Sequence, residues 1–285
     1  MRPKTLLERA GSGTGRVVLN AFLIFWAAAV IYPLVWMVIS SFKDANGIYL
    51  STWSLPDVMH WENYQMAWVD YSIGRAFLNT LFVTVLATVL NLILSLPTAY
   101  AIERYAFKGN SALMNFYLMA MMIPACMSWI PLYFLLNRFH MLDNLWVLAL
   151  IYAIGKMPFS IYILSSFIGA VPVALEEAAT LDGMSRYGIL FRMIPKLIRS
   201  GIITVIVMNV IQFWSEYFMA LIFAGSTKNM SLSVALYQLI VAMTREGGWS
   251  GMFAAVSLVS APTIILYILL SKKIIGGVTA GGLKG

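Results

Sequence analysis

Residues 76–102 read AFLNTLFVTVLATVLNLILSLPTAYAI, and this stretch decides the fold class of the chain. It carries no charged residue, and it is longer than the roughly 20 apolar residues that a helix needs to cross the hydrocarbon core of a bilayer. Within lipid, a helix satisfies every backbone N–H and C=O group without a neighbouring segment. The stretch therefore predicts a transmembrane helix in an all-α membrane protein.

The composition extends that conclusion to the whole chain. Of its 285 residues, 61% are hydrophobic and 11% are charged, whereas a soluble domain is about 25% charged. Lipid must therefore solvate much of the surface, and the net charge of +7 is expected to reflect membrane topology rather than nucleic-acid binding. The single cysteine, Cys126, excludes a disulfide within the chain and a metal site built from several thiolates.

The charged residues divide the chain into six long apolar runs, of which two contain a single charge, at Lys156 and at Glu216. The runs predict six transmembrane helices in one membrane domain, 17–272, between an N-terminal tail, 1–16, and a C-terminal tail, 273–285. The six runs are 17–42, 76–102, 109–137, 144–175, 200–227 and 247–271.

The basic residues predict the orientation of these spans. If the N-terminus is inside, thirteen lysines and arginines lie on inner segments and five on outer segments. Because basic residues concentrate on the cytoplasmic side, both tails are predicted to be cytoplasmic. The long outer segment, 43–74, is rich in tryptophan and tyrosine, and two interpretations remain open for it: an aromatic belt at the membrane interface, or contact with an external partner.

The sequence contains no phosphate-binding loop of the form G-x-x-x-x-G-K-[ST]. The glycine-rich cluster 11–15 has no predicted strand before it, so it is interpreted as part of the N-terminal tail. We therefore predict no catalytic residue and no metal site in this chain, and any ATP hydrolysis that powers it is expected on another chain.

The inner segment 169–199 is the most informative part of the sequence. Residues 171–199 read VPVALEEAATLDGMSRYGILFRMIPKLIR. Pro172 favours the start of a helix and Gly183 its end. Between them lie two acids in the early turns and two alanines, a pattern that suits either close approach of a second protein or an ordinary solvated loop helix.

The run from Glu177 to Pro195 resembles the EAA loop of ABC importer permeases. In that family the loop forms a coupling helix that sits in a groove of the ATPase subunit. The resemblance implies ATPase coupling by Glu176, Glu177, Ala178, Ala179, Asp182 and Gly183. The departures, at Met184, Ile194 and Arg199, lie outside the Glu-Ala-Ala core.

Three further segments resemble the maltose-type sugar permeases. They are the C-terminus 277–285, the segment 213–218 with Ser215 where asparagine is common, and the outer segment 55–64. In the family the C-terminal tail reaches between the ATPase subunits. The resemblance thus implies ATPase contacts for Gly281, Gly282 and Lys284.

Polar residues within the spans need a partner or a function, because lipid satisfies neither their donors nor their acceptors. The second span carries a polar stripe, for which two interpretations stay open: packing against neighbouring helices, or the lining of an aqueous path. The stripe consists of Thr80, Thr84, Thr88, Asn91, Ser95 and Thr98.

The fourth and fifth spans supply the candidate substrate path. Asn209, Gln212 and Glu216 lie within about 60° of one another on a helix, and Lys156 is a candidate ion-pair partner for Glu216. Helix kinks are expected at Pro124 and Pro158. The aromatic residues Trp214 and Tyr217 are added as candidate contacts to sugar rings.

The resemblance implies a permease that works by alternating access in a bacterial or archaeal cell membrane. Its implied partners are a second homologous permease subunit, two ATP-binding cassette subunits that hold ATP and magnesium, an extracytoplasmic sugar-binding protein and the lipid bilayer. The expected cargo is a sugar, and an oligosaccharide in particular. Two alternatives stay open: the same machinery importing glycerol phosphate or another nutrient, and an ion-coupled secondary transporter.

Overall fold

A computed structural model describes residues 13–282 of the chain. These residues are mainly helical and contain no strand, which confirms the all-α fold class. They form two compact units. The first unit comprises the residues up to Tyr71 together with Leu239–Leu258, and the second comprises Ser72–Gln238 together with the residues from Val259 onwards. Most of the predicted N-terminal tail and Lys284 of the C-terminal tail lie outside the described residues.

Fifteen α-helices follow one another along the described residues. Short π-helical segments occur at Met66–Asp70 and Ile189–Met193, and a 3₁₀ turn at Ala125–Ser128. The α-helices are α1 (Gly13–Ser40), α2 (Ala45–Leu50), α3 (Glu62–Gln65), α4 (Ile73–Arg104), α5 (Asn110–Met122), α6 (Trp129–Arg138), α7 (Leu145–Gly155), α8 (Met157–Gly169), α9 (Val173–Leu181), α10 (Arg186–Gly188), α11 (Ile194–Leu197), α12 (Arg199–Ser215), α13 (Phe218–Phe223), α14 (Leu232–Glu246) and α15 (Trp249–Gly282).

Two unbroken helices among the described residues, Gly15–Ser40 and Ile73–Arg104, are long and apolar enough to cross a membrane. Three bent helix pairs raise the number of candidate spans to five if each pair is counted as one. The sixth predicted span falls on α15, which contributes a shorter apolar stretch, Trp249–Ile265. The arrangement is consistent with six spans, and the count of six stays a prediction.

Two of the three bends in the helix pairs lie where the sequence places a proline. The chain turns by 94° between α5 and the segment 125–138, next to Pro124, and by 48° between α7 and α8, at Lys156 before Pro158. Both predicted kinks are confirmed. A third bend, of 79°, separates 186–197 from α12 at Ile198.

In the first unit, the outer segment after α1 is tied together by its own hydrogen bonds. The buried Lys43 donates through Nζ to the backbone oxygens of Ser51 (2.8 Å) and Thr52 (3.0 Å). Asn63 donates to the backbone oxygens of Ser41 and Lys43, each at 2.9 Å. The segment is therefore an ordered structure with its tryptophans on the surface, which fits both interpretations given for it above.

In the second unit, α4 is the central helix and packs against α7, α8 and α12. Its polar stripe faces these neighbours, because all of its members except the half-buried Thr98 are buried. Thr80 accepts a hydrogen bond from the backbone N–H of Leu232 (2.7 Å), and Thr88 donates to the backbone oxygen of Thr84 (2.7 Å). The packing interpretation of the stripe is confirmed.

A buried amide network joins α4 to three other helices. Asn91 of α4 donates to the backbone oxygen of Ala153 on α7 (2.8 Å) and accepts from Asn209 of α12 (2.9 Å). The same Asn209 amide lies 3.5 Å from the hydroxyl of Ser160 on α8. Because no water competes for these groups, the network fixes the register of the four helices.

We expect Asn91→Leu to lower the stability of the detergent-solubilised protein by about 1–3 kcal/mol, because it leaves the buried Asn209 amide short of a partner. The midpoint of thermal unfolding measures the loss. Ser166→Ala is the matched control, since Ser166 is exposed and donates only to Tyr162 of its own helix. The double variant Asn91→Leu/Asn209→Leu should be less destabilised than the sum of the single variants. Strict additivity would contradict the network.

Candidate functional site

The first candidate site is the inner loop 169–199, which begins with the helix predicted there. Pro172 is the residue before α9, and the backbone reverses at Gly183, whose φ is +85°. Gly183 N–H donates to the backbone oxygen of Thr180 (3.0 Å), and Met184 N–H donates to that of Ala179 (2.9 Å). Glycine adopts a positive φ without strain, and these bonds cap the final carbonyl groups of α9. The predicted start and stop are confirmed.

The two acids of this helix lie on different faces, one exposed and one packed. Glu177, Ala178 and Asp182 are exposed, whereas Glu176 is buried. Neighbouring residues on a helix are separated by about 100°, which is enough to divide two adjacent side chains between an exposed and a packed face. The structure thus leaves Glu177 free for a second protein and directs Glu176 towards the rest of this chain.

Glu176 is held by the last two turns of α4. Its Oε2 accepts a hydrogen bond from the hydroxyl of Tyr100 (2.7 Å), and its Oε1 forms an ion pair with Nε of Arg104 (2.5 Å). Arg104 also donates through Nη2 to the backbone oxygens of Ile168 and Val171, each at 2.8 Å. Glu176 was predicted to take part in ATPase coupling together with Glu177, and the structure gives its side chain partners within this chain.

From the end of α9 onwards, the loop presents a mixed apolar and basic surface. Leu181, Tyr187 and Phe191 are exposed, and so are Arg186 and Arg192. Exposed aromatic and aliphatic side chains beside arginines have the composition of a protein interface. This surface continues the exposed face of α9.

The second candidate site is a pair of cavities beside the bends. One has a volume of about 460 Å³ and the other of about 560 Å³. Ala125, Gly155, Lys156 and Gln212 line both cavities. The predicted path residues Lys156, of the fourth span, and Gln212 and Glu216, of the fifth span, thus meet at the smaller cavity.

Glu216 lies in the break between α12 and α13. Its carboxylate accepts hydrogen bonds from the hydroxyl of Tyr152 (2.9 Å) and from the backbone N–H groups of Met219 and Ala220, each at 3.1 Å. It therefore satisfies donors that the broken helix would otherwise leave without partners. The structure does not contain the suggested ion pair with Lys156, whose ammonium has no partner among residues 13–282.

Three predicted path residues lie outside these two cavities. Asn209 is 1% exposed and belongs to the buried amide network. Trp214 is also buried, and its indole N–H donates to Thr263 (3.1 Å). Tyr217 packs edge-on against Phe218 and Tyr237. Asn209 lies on the packed side of α12, because a 60° sector of a helix spans both a packed and a cavity-facing side, and its place on a substrate path stays a prediction.

Sequence reasoning missed three aromatic residues of the smaller cavity: Trp129, Tyr152 and Phe213. The rings of Tyr152 and Phe213 stack at 5.4 Å, and Trp129 stacks on Phe218 at 5.8 Å. Their identity as cavity residues depends on bends that bring separate spans together. The one available signal was the position of Trp129 shortly after Pro124.

The structure does not test the predicted ATPase contacts of the tail. The helix α15 runs to Gly282, so the backbone of Gly281 and Gly282 is helical. Lys284 lies outside the described residues. The contact of these three residues with an ATPase stays a prediction.

The probable ABC transporter permease protein YurM of Bacillus subtilis is 33% identical over 95% of this chain and 89% of its own length. The diacetylchitobiose uptake system permease protein NgcG of Streptomyces coelicolor is 29% identical over 96% of this chain and 92% of its own length.

A similar fold occurs in a solved bacterial ABC transporter involved in the import of the acidic polysaccharide alginate. The likeness has a TM-score of 0.79 at 22% identity and covers 95% of this chain and 99% of that one. Residues 91–276, which include the inner loop and both cavities, match the family described as binding-protein-dependent transport system inner membrane component. The matched residues include the exposed helix α9 with its Glu-Ala-Ala motif and the apolar helices that hold it. The chain belongs to this family of binding-protein-dependent transport system inner membrane components.

Proposed function

We propose that this chain is a permease subunit of an ATP-driven importer of oligosaccharides, with a single domain of six spans and both termini in the cytoplasm. It moves its cargo by alternating access. Two separate ATP-binding cassette subunits bind ATP and magnesium and carry out hydrolysis. A soluble extracytoplasmic protein delivers the sugar.

The observation that carries this proposal is the exposed face of α9. Glu177 and Ala178 are exposed on a helix whose ends are fixed by Pro172 and Gly183. Small side chains allow the backbone of a second protein to approach closely, and an exposed acid offers it a charge to pair with. The adjoining apolar and basic surface supports docking of an ATPase subunit on this loop.

The exposed apolar bend of the third predicted span supports a second permease subunit as the partner within the membrane. None of the residues of α5, all of which are described, is buried. Irregular backbone at membrane depth is tolerated where protein covers it or where it lines a water-filled cavity. A homologous subunit packed against the bend at Pro124 meets this requirement and closes the cavities beside it.

The cargo is proposed from the relatives and from the cavity lining. NgcG is a diacetylchitobiose permease, and the solved transporter imports alginate. The smaller cavity combines the aromatic rings of Trp129 and Phe213 with the polar groups of Gln212 and Lys156. Rings that pack on the apolar faces of a sugar, with donors and acceptors for its hydroxyls, suit an oligosaccharide.

Reconstitution tests the proposed cargo. Proteoliposomes that contain both permease subunits and the ATPase subunits, with the binding protein outside, should hydrolyse ATP faster when an oligosaccharide such as diacetylchitobiose is added. The rate of phosphate release is the measurement. Stimulation by glycerol phosphate but by none of a panel of oligosaccharides would favour the alternative cargo.

Replacing Glu177 by lysine should weaken ATPase binding while leaving the helices inserted. Removing a charge contact at an interface and leaving its partner unpaired costs about 2–5 kcal/mol. Co-purification of the ATPase subunits with the tagged permease measures the loss. Glu62→Lys is the control, because it makes the same charge change on an exposed residue of the outer segment. Equal recovery of the ATPase with both variants would refute docking through Glu177.

Cysteine labelling tests the cavity. In a Cys126→Ser background, Gln212→Cys should react with a water-soluble thiol reagent, and bound oligosaccharide should slow the reaction, because Gln212 lines both cavities. Ser165→Cys is the control, since Ser165 is buried on α8 and should stay inert. A Gln212→Cys variant that reacts only with lipid-soluble reagents would place this position in contact with lipid.

A further inference from the structure

The attachment of α9 to the membrane helices depends on one buried carboxylate. Glu176 is 8% exposed, and both of its side-chain donors, Tyr100 and Arg104, come from the end of α4. The side chains of Glu176 and Arg104 are each 10% exposed. A protein that docks on the exposed face of α9 therefore meets Glu177 and not this pair.

Arg104 connects three elements at once. Its Nε binds Glu176 of α9, and its Nη2 binds the backbone oxygens of Ile168, in the last turn of α8, and Val171, in the turn before α9. The last carbonyls of a helix lack partners within the helix and carry partial negative charge, so a guanidinium satisfies them well. The planar fork of arginine serves all three acceptors in one geometry, which the single ammonium of lysine does not reproduce.

The pair is not explained by stability alone. A buried ion pair is often no more stabilising than an apolar pair of the same volume, because both charges lose their hydration. What it provides is a connection of fixed length and direction between α9 and α4. Around it, Tyr100 belongs to a buried apolar cluster with Ile168 and Ile189, so the end of α4 is embedded in protein.

From Arg104 the connection continues towards the cavities. The helix α4 is unbroken from Ile73 to Arg104, and its Asn91 bonds to α7 and to α12. These two helices carry Gly155 and Gln212, which line both cavities. Hydrogen bonds thus connect the helix that ends at Arg104 to the helices that form the cavity walls.

We propose that Glu176 and Arg104, assisted by Tyr100, form the link that transmits movement of the docked ATPase from α9 to α4. Glu176 is thus a positioning residue for transport, distinct from Glu177, which contacts the ATPase. This inference rests on the proposed function. It assigns the two adjacent acids of one helix to two separate steps, docking and transmission.

The test measures how nucleotide changes access to the cavity. In the complete importer complex with Cys126→Ser and Gln212→Cys, the rate of modification by a charged methanethiosulfonate reagent is compared without nucleotide and after trapping with ATP and vanadate. The ratio of the two rates reports coupling between the ATPase and the cavity, and it does not require the transported sugar to be known.

We expect Glu176→Gln to retain the ATPase subunits. The ratio of the two modification rates should move towards one by a factor of about 5 or more, since couplings between sites are usually 5- to 150-fold. Arg104→Lys keeps the charge but loses the fork, and it should reduce the ratio as well. Glu177→Gln is the matched control: it should reduce ATPase recovery, while the complexes that still form should keep the wild-type ratio.

Two results for Glu176→Gln would overturn the link: a wild-type ratio, or loss of the ATPase subunits comparable to that of Glu177→Gln. If Glu176→Gln does not assemble in the membrane, Tyr100→Phe decides, because it removes one hydrogen bond and leaves the ion pair. Tyr100→Phe should move the ratio of the two rates towards one by a factor of about 2 or more. A wild-type ratio would overturn the inference. A ratio of one in the wild-type complex would overturn the proposed function, and the inference with it.

Discussion

The constraint on which this structure depends is that backbone groups at membrane depth must find their hydrogen-bond partners within protein. An unbroken helix such as α4 meets it automatically. The bent spans do not, because each break frees N–H and C=O groups. At the break between α12 and α13, the carboxylate of Glu216 accepts two of these N–H groups. At the end of α8, where the inner loop begins, the guanidinium of Arg104 serves the backbone oxygens of Ile168 and Val171. The bends shape the cavities, and charged side chains satisfy freed backbone groups at two helix ends.

This constraint changes the interpretation of charges within the spans. A carboxylate in a membrane helix suggests a functional site, and Glu216 does line a cavity. Its oxygens are nevertheless occupied by Tyr152 and by backbone donors, so its first role is to stabilise a helix end. Lys156 is different, because it lies at a bend with no side-chain partner among the described residues. The family assignment removes the reason to treat these two residues as an ion relay of a secondary transporter.

Local signals in the sequence were sufficient for much of the fold. The uncharged run 76–102 matches α4, and the proline and glycine that bound α9 act at the predicted positions. These features depend on residues a few positions apart. The contact of Glu176 with Arg104 joins residues 72 positions apart, and the burial of Asn209 depends on Asn91 of another helix. Hydrophobic periodicity describes the surface of one helix and does not identify what packs against it, which is why these contacts were not predicted.

The placement of Glu176 on the packed face and Glu177 on the exposed face of α9 has a consequence for evolution. Mutations on the exposed face of α9 alter recognition of another protein, while the packed face keeps its internal partners. The ATPase partner can therefore change without rearrangement of the membrane helices. Changes at the inward acid have no such freedom, since they require compensation at Arg104 or Tyr100.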